Sequence, residues 1–254
     1  MTAFTWQECS MTHILTMILL HINAQMSVGG GTGYGLDNQL PYEVEHMFPD
    51  YSLYGIKDTA YGFLTRGCPR HCHFCIVGDK EGLVSRKVAD LSEFWNGQKN
   101  ICLCDPNMFA CKDWRNLSQQ LIDSNAIIEF NQGIDIRAMT DEKCDALNNM
   151  KLSMIHFAWD NYPDEHCYNQ LKKYRDRFKL DGRNLTVYVL TNFDSTMEEN
   201  LYRIYTLRAL GFNPYVMVFD KPNAPKEIKR LLRWCNNKII FGSCKKFEDY
   251  NGGK

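Results

Sequence analysis

From Thr59 onward, short apolar, β-branched or aromatic runs alternate with longer amphipathic stretches, and this alternation limits the possible folds more than any other feature of the chain. Strands are predicted near 60–65, 100–104, 126–130, 153–158, 185–190 and 215–219. Between and after them the pattern predicts helices near 88–95, 113–124, 140–150, 164–178, 196–210 and 224–235. Thr140 followed by Asp141 and Glu142 marks one helix start, and Gly211 marks one helix end. Strands that alternate with helices pair in parallel through right-handed crossovers, so the class is α/β. Six β/α units are too few for an eight-fold barrel.

The totals agree with a folded domain of this kind. The chain has 254 residues with 44% hydrophobic content, enough for a sizeable core. A formal charge of −1 argues against a generally polyanion-binding surface, though not against a local basic patch such as Lys226, Lys229, Arg230 and Arg233 on the last predicted helix. Such a patch would suit RNA or an acidic protein; nucleic acid is otherwise not indicated. The apolar run Ile14–Leu20 is far shorter than the roughly 20 residues of a membrane span, and no Lys or Arg precedes it, so neither a membrane segment nor a secretory signal is expected. The eleven cysteines show no obvious pairing by spacing. A chain this long builds a core without disulfides, and a reducing, cytoplasmic setting is expected. Residues 1–58 read as an N-terminal extension and linker, shortened or altered at its start. Gly29–Gly35 is a glycine-rich stretch without a clear preceding strand, and aromatic anchors follow at Phe48, Tyr51 and Tyr54.

The chemistry concentrates in one loop after the first strand. Arg66 to Asp79 holds Cys68, Cys72 and Cys75 in a C-x3-C-x2-C run, with Phe74 just before the third cysteine. Thiolates this close suit a soft metal centre, and the odd count matters. Structural zinc sites are closed by four ligands, whereas a cubane cluster held by three leaves one iron open. His71 or His73 as a fourth ligand would make a zinc knuckle, and that alternative stays open.

The spacing, the aromatic residue and the preceding run Ala60–Thr65 resemble the radical S-adenosylmethionine (SAM) superfamily over roughly residues 59–254. The resemblance implies a partial (β/α)6 barrel and a 4Fe-4S cluster held by Cys68, Cys72 and Cys75. It also implies SAM on the open iron, with Phe74 near the adenine. The implied reaction is reductive cleavage of SAM to a 5′-deoxyadenosyl radical, which takes hydrogen from a substrate the sequence does not identify. A flavodoxin- or ferredoxin-like electron donor is implied as partner. Many members carry Gly-Gly-Glu after the second strand. This chain has Cys104-Asp105-Pro106-Asn107 there, which is similar to the branch that includes cobalamin-dependent enzymes and methylthiotransferases.

In such folds the site lies at the C-terminal ends of the strands. The candidates there to hold SAM are Asp105 and Asn107 after strand two, Gln132, Asp135 and Arg137 after strand three, and Asp160 after strand four. Asp105 and Asn107 offer acceptors for an ammonium group. Arg137 offers a bidentate fork for a carboxylate, unless it pairs with Asp135. His156 and Lys221 are substrate-side candidates, and 191–194 either contacts SAM or, through Asp194 or Ser195, caps the next helix. Two further readings remain: a zinc-stabilised nucleic-acid-binding module, and a degenerate iron–sulfur protein without catalysis. Cys102, Cys104 and Cys111 cluster in sequence, but Cys102 and Cys104 fall in a buried strand and read as small hydrophobes rather than as ligands of an auxiliary cluster.

Overall fold

The computed structural model describes residues 40–252. Gly29–Gly35 and Ile14–Leu20 lie outside the described residues. The chain is mixed α/β, and its main strands are parallel. A four-residue helix, α1 (Tyr42–Glu45), and a 3-10 turn (Tyr51–Tyr54) lead into β1 (Thr59–Gly62). The Tyr51 hydroxyl fixes this entry: it donates to the Phe94 carbonyl at 2.8 Å and accepts from Tyr61 N at 2.9 Å.

One sheet has the order β1, β4 (Asn100–Leu103), β5 (Ile127–Phe130), β6 (Lys151–Leu152); the other has β7 (Ile155–Ala158), β8 (Leu185–Thr191), β9 (Asn213–Val218). Every pairing in both is parallel. Just past β5, Ile134 N donates to His156 O on β7 at 2.7 Å, which joins the two sheets. A Cβ on Gly133, which has φ +83°, would press on that same carbonyl, so glycine permits the approach.

The helices α3 (Trp114–Ser124), α4 (Asp141–Asn149), α5 (Glu165–Tyr174), α6 (Met197–Ala209) and α7 (Lys226–Asn236) each follow a main strand, as the alternation predicts. Each buries an apolar stripe, such as Ile228, Leu231, Trp234 and Cys235 of α7. Alternate strand residues meet those stripes: Ala60, Ile101 and Ile128 are in register on one sheet, and Phe157 and Val187 on the other, all fully buried. A last helix, α8 (Lys238–Ser243), follows α7. Arg230 holds the tail onto α7 through the carbonyls of Phe247 and Tyr250. It is therefore drawn out of the expected basic face, which keeps Lys226, Lys229 and Arg233.

Three local expectations are corrected. The predicted strand 60–65 is two strands, because the chain breaks at Phe63 and resumes as β2 (Thr65–Arg66), paired antiparallel with β3 (Arg86–Lys87). The predicted helix 88–95 is a single 3-10 turn, Leu91–Glu93, closed by an Asp90–Glu93 capping box, after which Phe94 turns into the core. Helix α6 is capped by Thr196 itself, whose hydroxyl accepts from Glu199 N while Glu199 accepts from Thr196 N.

Arg203 of α6 is fully buried and ties two strand ends together. Its guanidinium donates to the carbonyls of Trp159, Asp160 and Leu190 at 2.6–2.9 Å and to Asn200 Oδ1 at 2.6 Å. Arg203→Ala would leave these acceptors without a donor. It should lower stability by about 3–5 kcal/mol in chemical denaturation, while an exposed residue of the same helix, Glu198→Ala, costs clearly less.

Candidate functional site at the strand ends

The cysteine loop is an excursion closed at its base. Strands β2 and β3 pair there, Cys68 N donates to Gly82 O at 3.1 Å, and Gly67 N donates to Glu81 Oε2 at 3.0 Å. Glu81 ends α2 (Val77–Glu81) and also accepts from Arg66 at 2.8 Å. Gly67 has φ +87°, and any side chain there would collide with the Val84 carbonyl. The crossing at the loop base therefore requires glycine. Inside the loop the backbone is irregular: His71 sits at φ +46°, and Cys75 N returns to Cys72 O at 2.9 Å.

Cys68, Cys72 and Cys75 are free and half-buried. Burial pushes the Cys72 and Cys75 thiols up, and each thiol also feels Cys68 and Asp160. The Arg137 charge pulls Cys72 back down, and the Val77 N–H does the same for Cys75. Among the described residues no group of three or more Cys, His, Asp or Glu side chains is arranged to hold a metal ion as it stands. Three thiols on one short loop are a donor set that suits a soft metal centre. His71 Nε2 lies 3.9 Å from Asp79 Oδ1, and both side chains are exposed.

Residues from the other strand ends surround this loop. Asn107 is buried, and its Nδ2 donates to Cys68 Sγ at 3.6 Å, while its carbonyl accepts from Ser85 Oγ at 2.8 Å. Asp135 accepts from Arg70 of the cysteine loop and from Arg137 Nε at 2.9 Å, so Asp135 and Arg137 do pair. Asp164 Oδ2 lies 3.6 Å from Arg137 on its other side. Burial alone would lower the Arg137 pKa, but the Asp135 carboxylate outweighs it and the net shift is upward. Asp160 lies between Arg137 and Arg203, yet burial still pushes its carboxyl up to about 6. Gln132 is exposed on the turn after β5. Phe74 meets Phe193 edge-on with centroids 5.7 Å apart, and Phe193 meets Phe219 at 5.0 Å, which brings in the ends of β8 and β9.

Asp105 serves the fold directly. It is buried, and its two oxygens accept from Leu64 N at 3.0 Å, Thr65 N at 2.6 Å and Thr65 Oγ1 at 2.6 Å. These bonds hold the break between β1 and β2 and so aim the chain into the cysteine loop. Glu81, Thr65 and Arg203 were not singled out by the sequence reading. Arg203 shares the buried face of α6 with Asn200, Ile204 and Leu207, a placement that the residue type does not announce. Compared with known proteins, the chain matches no protein-family model and no curated protein.

Burial pushes the Asp105 carboxyl from 3.8 up to about 6, against the pull of its three donors. The folded state therefore binds this proton more tightly than the unfolded chain. The resulting stability is fully present below about pH 4 and is lost as the pH rises through 6. Asp105→Asn should flatten that fall by about 2 kcal/mol between pH 4.5 and 7, read from urea denaturation at those two pH values. Asp105→Ala strands three donors and should cost about 2–5 kcal/mol at either pH.

Proposed function

We propose that this chain is a radical SAM enzyme built on a partial (β/α)6 barrel, with a 4Fe-4S cluster on Cys68, Cys72 and Cys75. One observation carries the reading: three free thiols stand at the C-terminal ends of parallel strands, and side chains from the other strand ends converge on them. Bound there, the cluster and SAM together would supply one-electron cleavage of the sulfonium and removal of a substrate hydrogen. The protein's own residues bind, orient and exclude water. The Asn107 amide donates to the Cys68 sulfur and would fix that ligand and temper its charge. Phe74, backed by Phe193 and Phe219, offers an apolar wall for an adenine ring.

Arg137 would direct a cation toward the cofactor's carboxylate from a base of Asp135 and Asp164. Arg70 clamps the cysteine loop to the same Asp135, so cofactor binding and loop position share one ion-pair network. Asp160, held near the strand end by its backbone bond to Arg203, would accept from a ribose hydroxyl. Electrons would come from a flavodoxin- or ferredoxin-like protein.

The test is anaerobic reconstitution with iron and sulfide, then electron paramagnetic resonance with and without SAM. A cubane signal that changes on adding SAM, and is lost in Cys72→Ala, is the expected result, together with 5′-deoxyadenosine after reduction. A colourless protein that takes up zinc would overturn the reading in favour of a zinc module. A brown protein that never yields 5′-deoxyadenosine would reduce it to a cluster-bearing protein without catalysis.

A further inference from the structure

Parallel sheets are ordinarily covered on both faces. Among the described residues the helices cover one face; on the other, Cys102 and Thr186 stay buried, while several further alternates are exposed or half-exposed. Tyr61 on β1 is 41% exposed and Tyr215 on β9 is 38% exposed. Register places Tyr61, Cys102 and Glu129 in one row across β1, β4 and β5, and Tyr188 beside Tyr215 across β8 and β9. His156 stacks on Tyr188 with centroids 5.1 Å apart and planes 18° apart, and Tyr215 meets Tyr188 edge-on at 5.7 Å. The His156 ring is itself fixed by Met154 Sδ, 3.0 Å from Nε2.

Glu129 stands on this face without an ion pair or hydrogen bond among the described residues. Its charge is felt at Tyr61, His156 and Tyr188 alike. Burial lowers the His156 pKa, so the imidazole adds no positive charge at neutral pH. Burial likewise pushes the Tyr188 phenol up to about 12, which keeps that ring neutral. Lys151 on β6 is in register with Ile127, two residues before Glu129, and forms no ion pair with it. A lone carboxylate among electron-rich rings, with no cation supplied by the described residues, is complementary to a positively charged organic group. Ring faces and carboxylate both attract it, and neither attracts an anion.

We propose that the open sheet face, built on Glu129, Tyr188, Tyr215, Tyr61 and His156, binds an organic ammonium or guanidinium group. As the handle of a substrate, this site rests on the radical SAM reading. His156 and Tyr188 each stand four residues before a strand-end residue, Asp160 and Asn192, and four residues of strand span about 13 Å. A cation held on this face would thus leave the rest of a small molecule reaching toward the cysteine loop. The binding itself does not depend on a cluster.

The experiment uses the full chain without reconstitution, so that the site is read separately from the cofactor. Choline and its neutral isostere 3,3-dimethylbutan-1-ol are titrated at constant ionic strength and followed by calorimetry. Choline should bind at least about tenfold more tightly than the isostere, the size of one good cation–π and carboxylate contact. Glu129→Gln, an exposed position, should weaken choline about tenfold or more and leave the isostere unchanged. Tyr188→Phe should keep choline binding within about threefold, because the ring face remains, while Tyr188→Leu should weaken it further. Equal binding of the two probes would overturn the proposal and make the face a neutral stacking surface. Absence of choline binding at tens of millimolar, or binding indifferent to Glu129→Gln, would overturn it as well. Choline binding in a protein whose cluster never responds to SAM would support the cation site and remove the radical SAM reading, so the two failures are distinguishable.

Discussion

One buried carboxylate decides where the cysteines go. Asp105 lies just past β4, in the middle of the first sheet, and takes both backbone N–H groups of Leu64 and Thr65. Without it, the run from Thr59 to Arg66 has the composition to continue as one strand. With it, the chain stops after Gly62, turns, and restarts as β2, whose partner β3 closes the cysteine loop from the far side. Holding a carboxylate there has an electrostatic cost, visible in its raised pKa, and three short hydrogen bonds offset it. The loop base is then secured twice more, by Glu81 on Gly67 N and by a crossing that only glycine tolerates.

The same economy governs the opposite side of the site. Arg203 gathers carbonyls from the ends of β7 and β8, and its charge offsets part of the burial cost of Asp160. Arg137 stands between two carboxylates, one of which also binds the cysteine loop through Arg70. Four strand ends and the loop are therefore linked by backbone bonds and ion pairs rather than by apolar contact alone. That suits a surface meant to present polar groups in fixed directions, because paired buried polar groups hold one another's geometry.

Much of this was legible from the residues alone. The main strands and their helices follow from hydrophobic periodicity, because one face of each must be buried. The cysteine loop follows from spacing. The β2–β3 pair did not, because two-residue strands carry no period and their pairing spans some twenty residues. Asp105 read as either a turn residue or a ligand for an ammonium group, since its true partners lie forty residues upstream. Asp135 and Arg137, two residues apart, are legible as a possible pair, whereas Arg70 joins them from 65 residues away in the chain, where no local pattern reaches. Arg203 reads as one more surface base on a capped helix until the burial of Asn200 and Ile204 beside it is known.

The open sheet face was hidden for a related reason. Strand alternation reveals which residues are buried and leaves their alternates as a residue class without a role. Tyr61, Glu129, His156, Tyr188 and Tyr215 come from five strands and share no local pattern, so only parallel register and the joining of the two sheets at Ile134 bring them onto one surface. A face of that composition is expensive to leave to water if it serves only the fold, since tyrosine rings gain by burial. Its position on the strands that also carry the cysteine loop, Asn107, Arg137 and Asp160 gives it a reason to be left uncovered by the described residues. The strand ends supply directed polar groups and thiols, the sheet face supplies rings and a charge, and a molecule long enough to touch both would be held at two points with its middle between them.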